Sequence, residues 1–354
     1  MATPSNPTTS SSLAQDTIAL TSDKNHITTT TTTTSTTSSS SSSSAPPLSP
    51  TQPTTLQWLK SRPYIRAAIS EFLGTMILLL FGDGVVAQVL LSHGEKGSYQ
   101  SISWGWALGV TLGIYTSTPS GSHLNPAITF TLCLLRRFPW SNLPLYTLSQ
   151  ILGAMTGSAI VYLNYHSAIT LYEGSPHLRT VPSSSPSSTT TATATAGIFA
   201  TYPAPFLSQA SQFLSEFLAS TILMFMIFAL KDEANLGSGA GGRKLFPFAM
   251  FFVIFGIGAC FGWETGYAIN LARDFGPRLV SFALGYGGEV WRAGGWYFWV
   301  PMVAPFFGCT FGGWLYDAFI YTGDDSVVNS PYMGLGWLVK PLLHKRVSES
   351  DCPA

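Results

Sequence analysis

From about residue 56 to 345 the chain alternates long apolar stretches with short polar turns. Six stretches, roughly 66–91, 101–119, 143–165, 208–230, 245–263 and 296–321, approach the length of about 20 residues that an α-helix needs to cross a bilayer. Two more, about 125–135 and 270–282, are too short to cross, and each begins at an Asn after a Gly-containing turn. Long segments interrupted by short ones in matching places are the pattern of re-entrant half-helices. The spacing predicts an all-α membrane protein: six transmembrane helices plus two re-entrant half-helices in an inverted repeat. The channel domain is expected over 56–325, with half-repeats about 60–165 and 205–325.

The two halves share more than their rhythm. Glu71-Phe72-Leu73-Gly74-Thr75 in the first helix recurs as Glu216-Phe217-Leu218-Ala219-Ser220 in the fourth, 145 residues later. Asn125-Pro126-Ala127 recurs as Asn270-Leu271-Ala272 at the same offset, so Glu precedes Asn by 54 residues in both halves. Three helices per half is an odd number, and the second half therefore enters the membrane upside down relative to the first.

Composition divides the chain. Only 10% of residues are charged, against roughly 25% in soluble domains. Residues 1–55 are dominated by Thr, Ser and Pro and are expected to be a disordered tail, without the apolar core of a secretory signal. A net charge of zero offers nothing to nucleic acid. Cys133, Cys260 and Cys309 lie in apolar stretches and read as buried thiols; with Cys352 they form no metal-ligand spacing. Twelve of the seventeen basic residues fall on one side of the predicted topology and three, Lys96, Arg179 and Arg292, in the opposite loops, which puts both termini in the cytoplasm. Residues 166–207 are then a long, flexible external loop and 326–354 a cytoplasmic tail. Glycines four apart (Gly105, Gly109 and Gly113; Gly153 and Gly157; Gly308 and Gly312) predict close helix contacts.

The chemistry lies where the half-helices start. A helix beginning at the midplane leaves N–H groups unpaired and its positive dipole end exposed. Asn125 and Asn270 are N-cap residues whose carbonyls can accept from those N–H groups and whose amide NH₂ groups then face the lumen. The preceding residues, Gly121-Ser122-His123-Leu124 and Gly266-Tyr267-Ala268-Ile269, must be extended, which lipid tolerates only along an aqueous cavity; their carbonyls form a row of acceptors. A polyol, with hydroxyls on one edge and carbon on the other, suits such a wall. Glu71 and Glu216 are carboxylates in apolar helices; they either hold the backbone N–H groups of these loops or relay protons. His123 reads as a wall residue rather than a metal ligand. Arg273, three residues after Asn270, repels cations and donates to passing oxygens. Asp274 holds either that guanidinium or a neighbouring loop.

Ser120-Gly121-Ser122-His123-Leu124-Asn125-Pro126-Ala127-Ile128-Thr129 and Thr265-Gly266-Tyr267-Ala268-Ile269-Asn270-Leu271-Ala272-Arg273-Asp274 resemble the two signatures of the major intrinsic proteins, the aquaporin family. The resemblance covers about 60–325. It implies a homotetramer with one pore per subunit. No nucleophile–base constellation suggests an enzyme, no cofactor is expected, and the expected lipid bilayer is the plasma membrane. It also implies a four-residue selectivity ring falling on Trp106, Gly258, Tyr267 and Arg273, with Trp104, two residues from Trp106, as the neighbouring candidate. A glycine at position 258 leaves room where water-selective members carry a histidine. The aromatic corner and Asp274 look like an aquaglyceroporin, of a fungal kind given the Ser/Thr tail. Leu271 departs from the family's proline, which is pre-organised for a helix start. The reading is a passive channel for glycerol, water and small neutral solutes; a mainly water-selective channel and a coupled secondary transporter are the alternatives.

Overall fold

The computed structural model describes residues 55–182, 193–235 and 242–334. The expected disordered tail at 1–55 lies outside these residues except for its last position, as does 335–354 of the expected C-terminal tail.

Every regular element among the described residues is a helix. After a short α1 (Thr55–Ser61) come α2 (Pro63–Leu91), α3 (Tyr99–Thr116), the half-helix α4 (Pro126–Leu135) and α5 (Asn142–Glu173). The second half repeats the order with α6 (Gln209–Lys231), α7 (Gly242–Thr265), the half-helix α8 (Leu271–Ser281), a short α9 (Glu289–Trp296) and α10 (Trp299–Phe319). Pro63 and Pro126 each occupy a first helical turn, where a missing N–H costs nothing and the fixed φ suits the helix.

By length and composition α2, α6 and α7 qualify alone as membrane spans, and α9 with α10, bent by 60°, as a fourth. The expected six spans therefore differ in kind. Helices α3 and α5 are long, 18 and 32 residues, but carry many Ser, Thr, Gly and Tyr residues. Much of that polarity serves contacts within the bundle. A methyl group on Gly109 or Gly113 of α3 would lie 2.8 Å from the Leu78 or Gly74 carbonyl oxygen of α2.

The same contact recurs in both halves. Gly153 of α5 packs on the Phe72 carbonyl and Gly157 on that of Met76, while Gly308 and Gly312 of α10 pack on those of Phe217 and Thr221. Phe72 and Met76 precede Phe217 and Thr221 by the repeat offset. The backbones approach to a distance that no side chain permits, in a solvent where no hydrophobic effect joins helices.

The connection expected to be long and flexible over 166–207 departs from that in its described parts. Helix α5 continues to Glu173 and ends on Gly174 in the left-handed conformation (φ 80°). Residues 193–201 fold back over the helix ends: Ala196, Ile198 and Phe199 are buried with Tyr286 and Val290. Glu173 anchors the turn, accepting from Thr180 N (2.8 Å) and Thr195 Oγ1 (2.6 Å). At the other face Arg136 pairs with Asp317, which also accepts from Ser326 Oγ (2.7 Å), and Val327 N donates to Leu135 O (3.1 Å). The first residues past 325 are thus packed against the half-helix α4. Cys133 and Cys309 are buried, but Cys260, expected to be buried, is exposed on α7.

Candidate functional site

The two half-helices start at capped asparagines with nearly the same backbone, φ −152° and ψ 122° at Asn125, φ −155° and ψ 115° at Asn270. Asn125 Oδ1 accepts from Ala127 N (3.0 Å); Asn270 Oδ1 accepts from Ala272 N (2.9 Å) and Arg273 N (3.3 Å). The cap closes over Leu271 as it does over Pro126, so the leucine leaves the helix start intact. The amide groups differ from the expectation in one respect. Asn125 Nδ2 donates to Ile269 O (2.8 Å) and Asn270 Nδ2 to Leu124 O (2.7 Å), each strapping its half to the residue before the opposite asparagine. One N–H of each amide remains for the cavity that both residues border. The Leu124 and Ile269 carbonyls, expected only to line the wall, also receive these straps. Pro126, Ala127, Leu271 and Ala272 stand behind the asparagines and do not border the cavity.

The loops ahead of the caps obey the repeat residue by residue. Gly121, Ser122 and Leu124 have positive φ (92°, 58° and 55°), and so do Gly266, Tyr267 and Ile269 (79°, 38° and 44°). Left-handed backbone costs a non-glycine residue roughly 1 kcal/mol or more, so something must hold these segments open. The two carboxylates do. Glu71 accepts from His123 N (2.9 Å) and Leu124 N (2.7 Å), from Ser120 Oγ and from Gln150 Nε2 (2.7 Å). Glu216 accepts from Ala268 N (2.9 Å), Ile269 N (2.7 Å) and Thr265 Oγ1 (2.7 Å). Both are fully buried and neither borders the cavity. That geometry is a structural strut.

Between the loops and the helices lies a narrow cavity of about 60 Å³, bordered by Asn125, Asn270, Ser122, His123, Leu124, Ala268 and Ile269 on one wall and by Leu223, Ile227, Met250 and Ile254 on another. His123 is fixed there by Thr129 Oγ1 (3.0 Å from Nδ1) and by the edges of Phe138 and Tyr146. Among the described residues no cluster of three metal-binding side chains exists. A second, more open cavity of about 270 Å³ includes Tyr99, Thr201, Gly266 and Pro203 in its wall. Trp106, Tyr267 and Arg273 border both cavities. Three of the four ring candidates therefore stand where one space passes into the other.

Trp106 is 4% exposed, and the Arg273 guanidinium lies 4.0 Å from its ring centre. Trp104 points away, half exposed and packed on Phe251 and Phe255. Gly258 differs from the expectation: it borders neither cavity. A methyl group there would lie 2.9 Å from Cζ and Oη of Tyr267, and one on Gly262 would meet Tyr99 Oη and lie 2.5 Å from Tyr267 Cδ1. The two glycines, about one helical turn apart, form a notch that receives the tyrosine ring. The room left by Gly258 is taken by Tyr267.

Arg273 is held from a segment that sequence reasoning did not single out: Nη1 donates to Phe199 O (3.2 Å). Asp274 does not bind Arg273. It accepts from Thr201 N (2.8 Å), from Thr201 Oγ1 (2.6 Å) and from Arg278 Nε (2.8 Å). Arg278, buried, donates further to Val290 O (2.6 Å) and Thr201 O (2.7 Å). This buried pair pins residues 199–201 over the mouth and so positions the ring arginine. Its partners lie 73 residues upstream and 12 downstream, and no local periodicity announces them.

Comparison with known proteins places this arrangement. The family model described as major intrinsic protein matches residues 58–316. Aquaglyceroporin-9 of Botryotinia fuckeliana is 63% identical over 280 residues, which cover 79% of this chain and 59% of that protein, so the match spans less than two thirds of its length. Probable aquaglyceroporin-2 of Gibberella zeae is 60% identical over 295 residues, covering 83% and 84%. Among solved structures, the aquaglyceroporin from Plasmodium falciparum is similar with a TM-score of 0.62 and 31% identity, over 73% of this chain and 97% of that one. Two half-helices meeting at strapped asparagines, carboxylate struts beneath both loops and a match over 58–316 make one conclusion: this chain belongs to the major intrinsic protein family.

Proposed function

We propose that this chain is a passive channel that carries glycerol, water and other small neutral solutes across a membrane. The observation that carries the reading is the ring common to both cavities: Trp106 and Tyr267 offer flat carbon surfaces, and the guanidinium beside them offers donors. A polyol can pack its carbon chain into the aromatic corner while its hydroxyls bond Arg273, the asparagine amides and the loop carbonyls in turn. Helix N-termini from both sides and the fixed cation at the ring oppose the entry of cations. Glycerol selectivity is supported by the relatives named aquaglyceroporins. On the same reading the protein is a homotetramer of the plasma membrane with both termini cytoplasmic, and it is not an enzyme. Stopped-flow light scattering on proteoliposomes tests it: glycerol and water permeabilities should both exceed those of protein-free vesicles. Glycerol flux equal to that of empty vesicles would sink the proposal.

A further inference from the structure

The cavity wall contains a second charged residue that neither the repeat nor the ring explains. Lys231 ends α6 and borders the same cavity as Asn125 and Asn270. Its Nζ stands 5.0 Å from the ring centre of Phe246, which is also in the wall. Along α7, Phe246 precedes Gly258 by twelve residues, a rise of roughly 18 Å. Since Tyr267 packs at the level of Gly258, Lys231 stands at the mouth opposite the ring.

Among the described residues no carboxylate lies in ion-pair contact with it. The adjacent Asp232 is engaged elsewhere, accepting from Tyr316 Oη (2.7 Å) and from Ala234 N (2.9 Å). Nor does any acidic side chain among the described residues border the cavity. The conduit thus has a fixed cation at each mouth and two helix N-termini between them. A cation is repelled from either end. An anion reaching Lys231 is attracted, but beyond it lie Ile227, Met250 and Ile254, which cannot replace its hydration. It is therefore retained at the mouth, and a hydroxylated carbon chain attached to it can enter the space that neutral polyols use.

We propose that Lys231 forms an anion site at the mouth opposite the ring, which takes a small polyol phosphate and slows solute passage. The inference rests on the reading of the cavity as a polyol conduit. The ammonium supplies the charge-assisted hydrogen bonds, Phe246 fixes its stem, and the cavity accommodates the polyol end.

The test uses glycerol 3-phosphate on both sides of proteoliposomes, so that insertion orientation does not matter, against sodium chloride of equal ionic strength. Each protein is compared with its own phosphate-free flux. Wild type and Lys231→Arg should lose glycerol flux about two-fold or more, and Lys231→Gln should not, as fits an exposed charge pair. Equal inhibition of wild type and Lys231→Gln, or none in wild type whose glycerol flux exceeds that of empty vesicles, would overturn the site. Vesicles of phosphatidylcholine alone and vesicles with phosphatidylserine separate the two sources of phosphate. Inhibition in the former assigns the site to a free phosphate, whereas inhibition in neither, with charge-dependent flux only in the latter, assigns it to lipid and overturns the proposal. Phosphorus NMR line broadening by detergent-solubilised wild type, absent with Lys231→Gln, reads the site without any transport. It therefore decides the inference even if the channel reading fails.

Discussion

Gly258→Ala tests how the ring is built. The new methyl group would lie 2.9 Å from Cζ and Oη of Tyr267, about 0.7 Å short of an ordinary contact near 3.6 Å. The ring sits close over Gly262, where a methyl group would lie 2.5 Å from Cδ1, so it has little room to retreat along α7. The free direction is the passage shared with Trp106 and Arg273. Overpacking of this kind costs about 1–3 kcal/mol. If that cost falls on the permeation barrier, at tenfold per 1.4 kcal/mol, glycerol flux drops about 5- to 150-fold. Thermal stability should fall by less than the overpacking cost alone, because Ala is the better helix former by about 1 kcal/mol. Stopped-flow shrinkage and re-swelling of proteoliposomes in a glycerol gradient measure the effect. The double variant Gly258→Ala/Tyr267→Leu should recover flux to within about two-fold of Tyr267→Leu alone, since residues in contact are non-additive. Strictly additive losses, or a single variant with unchanged glycerol flux, would refute the notch.

Three further outcomes follow from the geometry. Glu216→Ala leaves the buried N–H groups of Ala268 and Ile269 without their acceptor; at about 1–3 kcal/mol each, the midpoint of thermal unfolding in detergent should fall by many degrees, and an unchanged midpoint contradicts the strut. Arg278→Met strands the buried Asp274 carboxylate at a cost of about 3–5 kcal/mol; adding Asp274→Asn should recover part of that stability, and both are read by the same melts. Gly312→Val drives a side chain into the Thr221 carbonyl, so folded yield on size-exclusion chromatography should collapse, whereas Gly256→Val, which meets nothing within 4 Å, should fold normally.

What the chain shows without coordinates is what repeats. The shared offset of Glu71 with Glu216 and Asn125 with Asn270 is reproduced in the backbone, down to matching left-handed residues at 121, 122 and 124 and at 266, 267 and 269. Caps and half-helices are local, because each depends on a residue and its neighbours within one or two turns, and the four-residue spacing of the glycines is local too, although the carbonyls they meet are not. The choice between Trp106 and Trp104, by contrast, needed the tertiary structure. Two residues apart on a helix they face different ways, and only packing says which direction is the lumen.

Sequence alone determined the inverted repeat, the places where helices begin and the carboxylates that must be satisfied. These follow from hydrogen-bond satisfaction in lipid, which leaves a buried chain few choices. Tertiary structure decided who satisfies whom across the repeat. It turned each asparagine amide into a strap to the other half, filled the notch at Gly258 with Tyr267, and assigned Asp274 to Arg278 and Thr201 instead of Arg273. It also folded residues 193–201 over the mouth and set Lys231 in the wall at the far end. Such partners are distant in the chain, and close approach in space leaves no period in a sequence to be read.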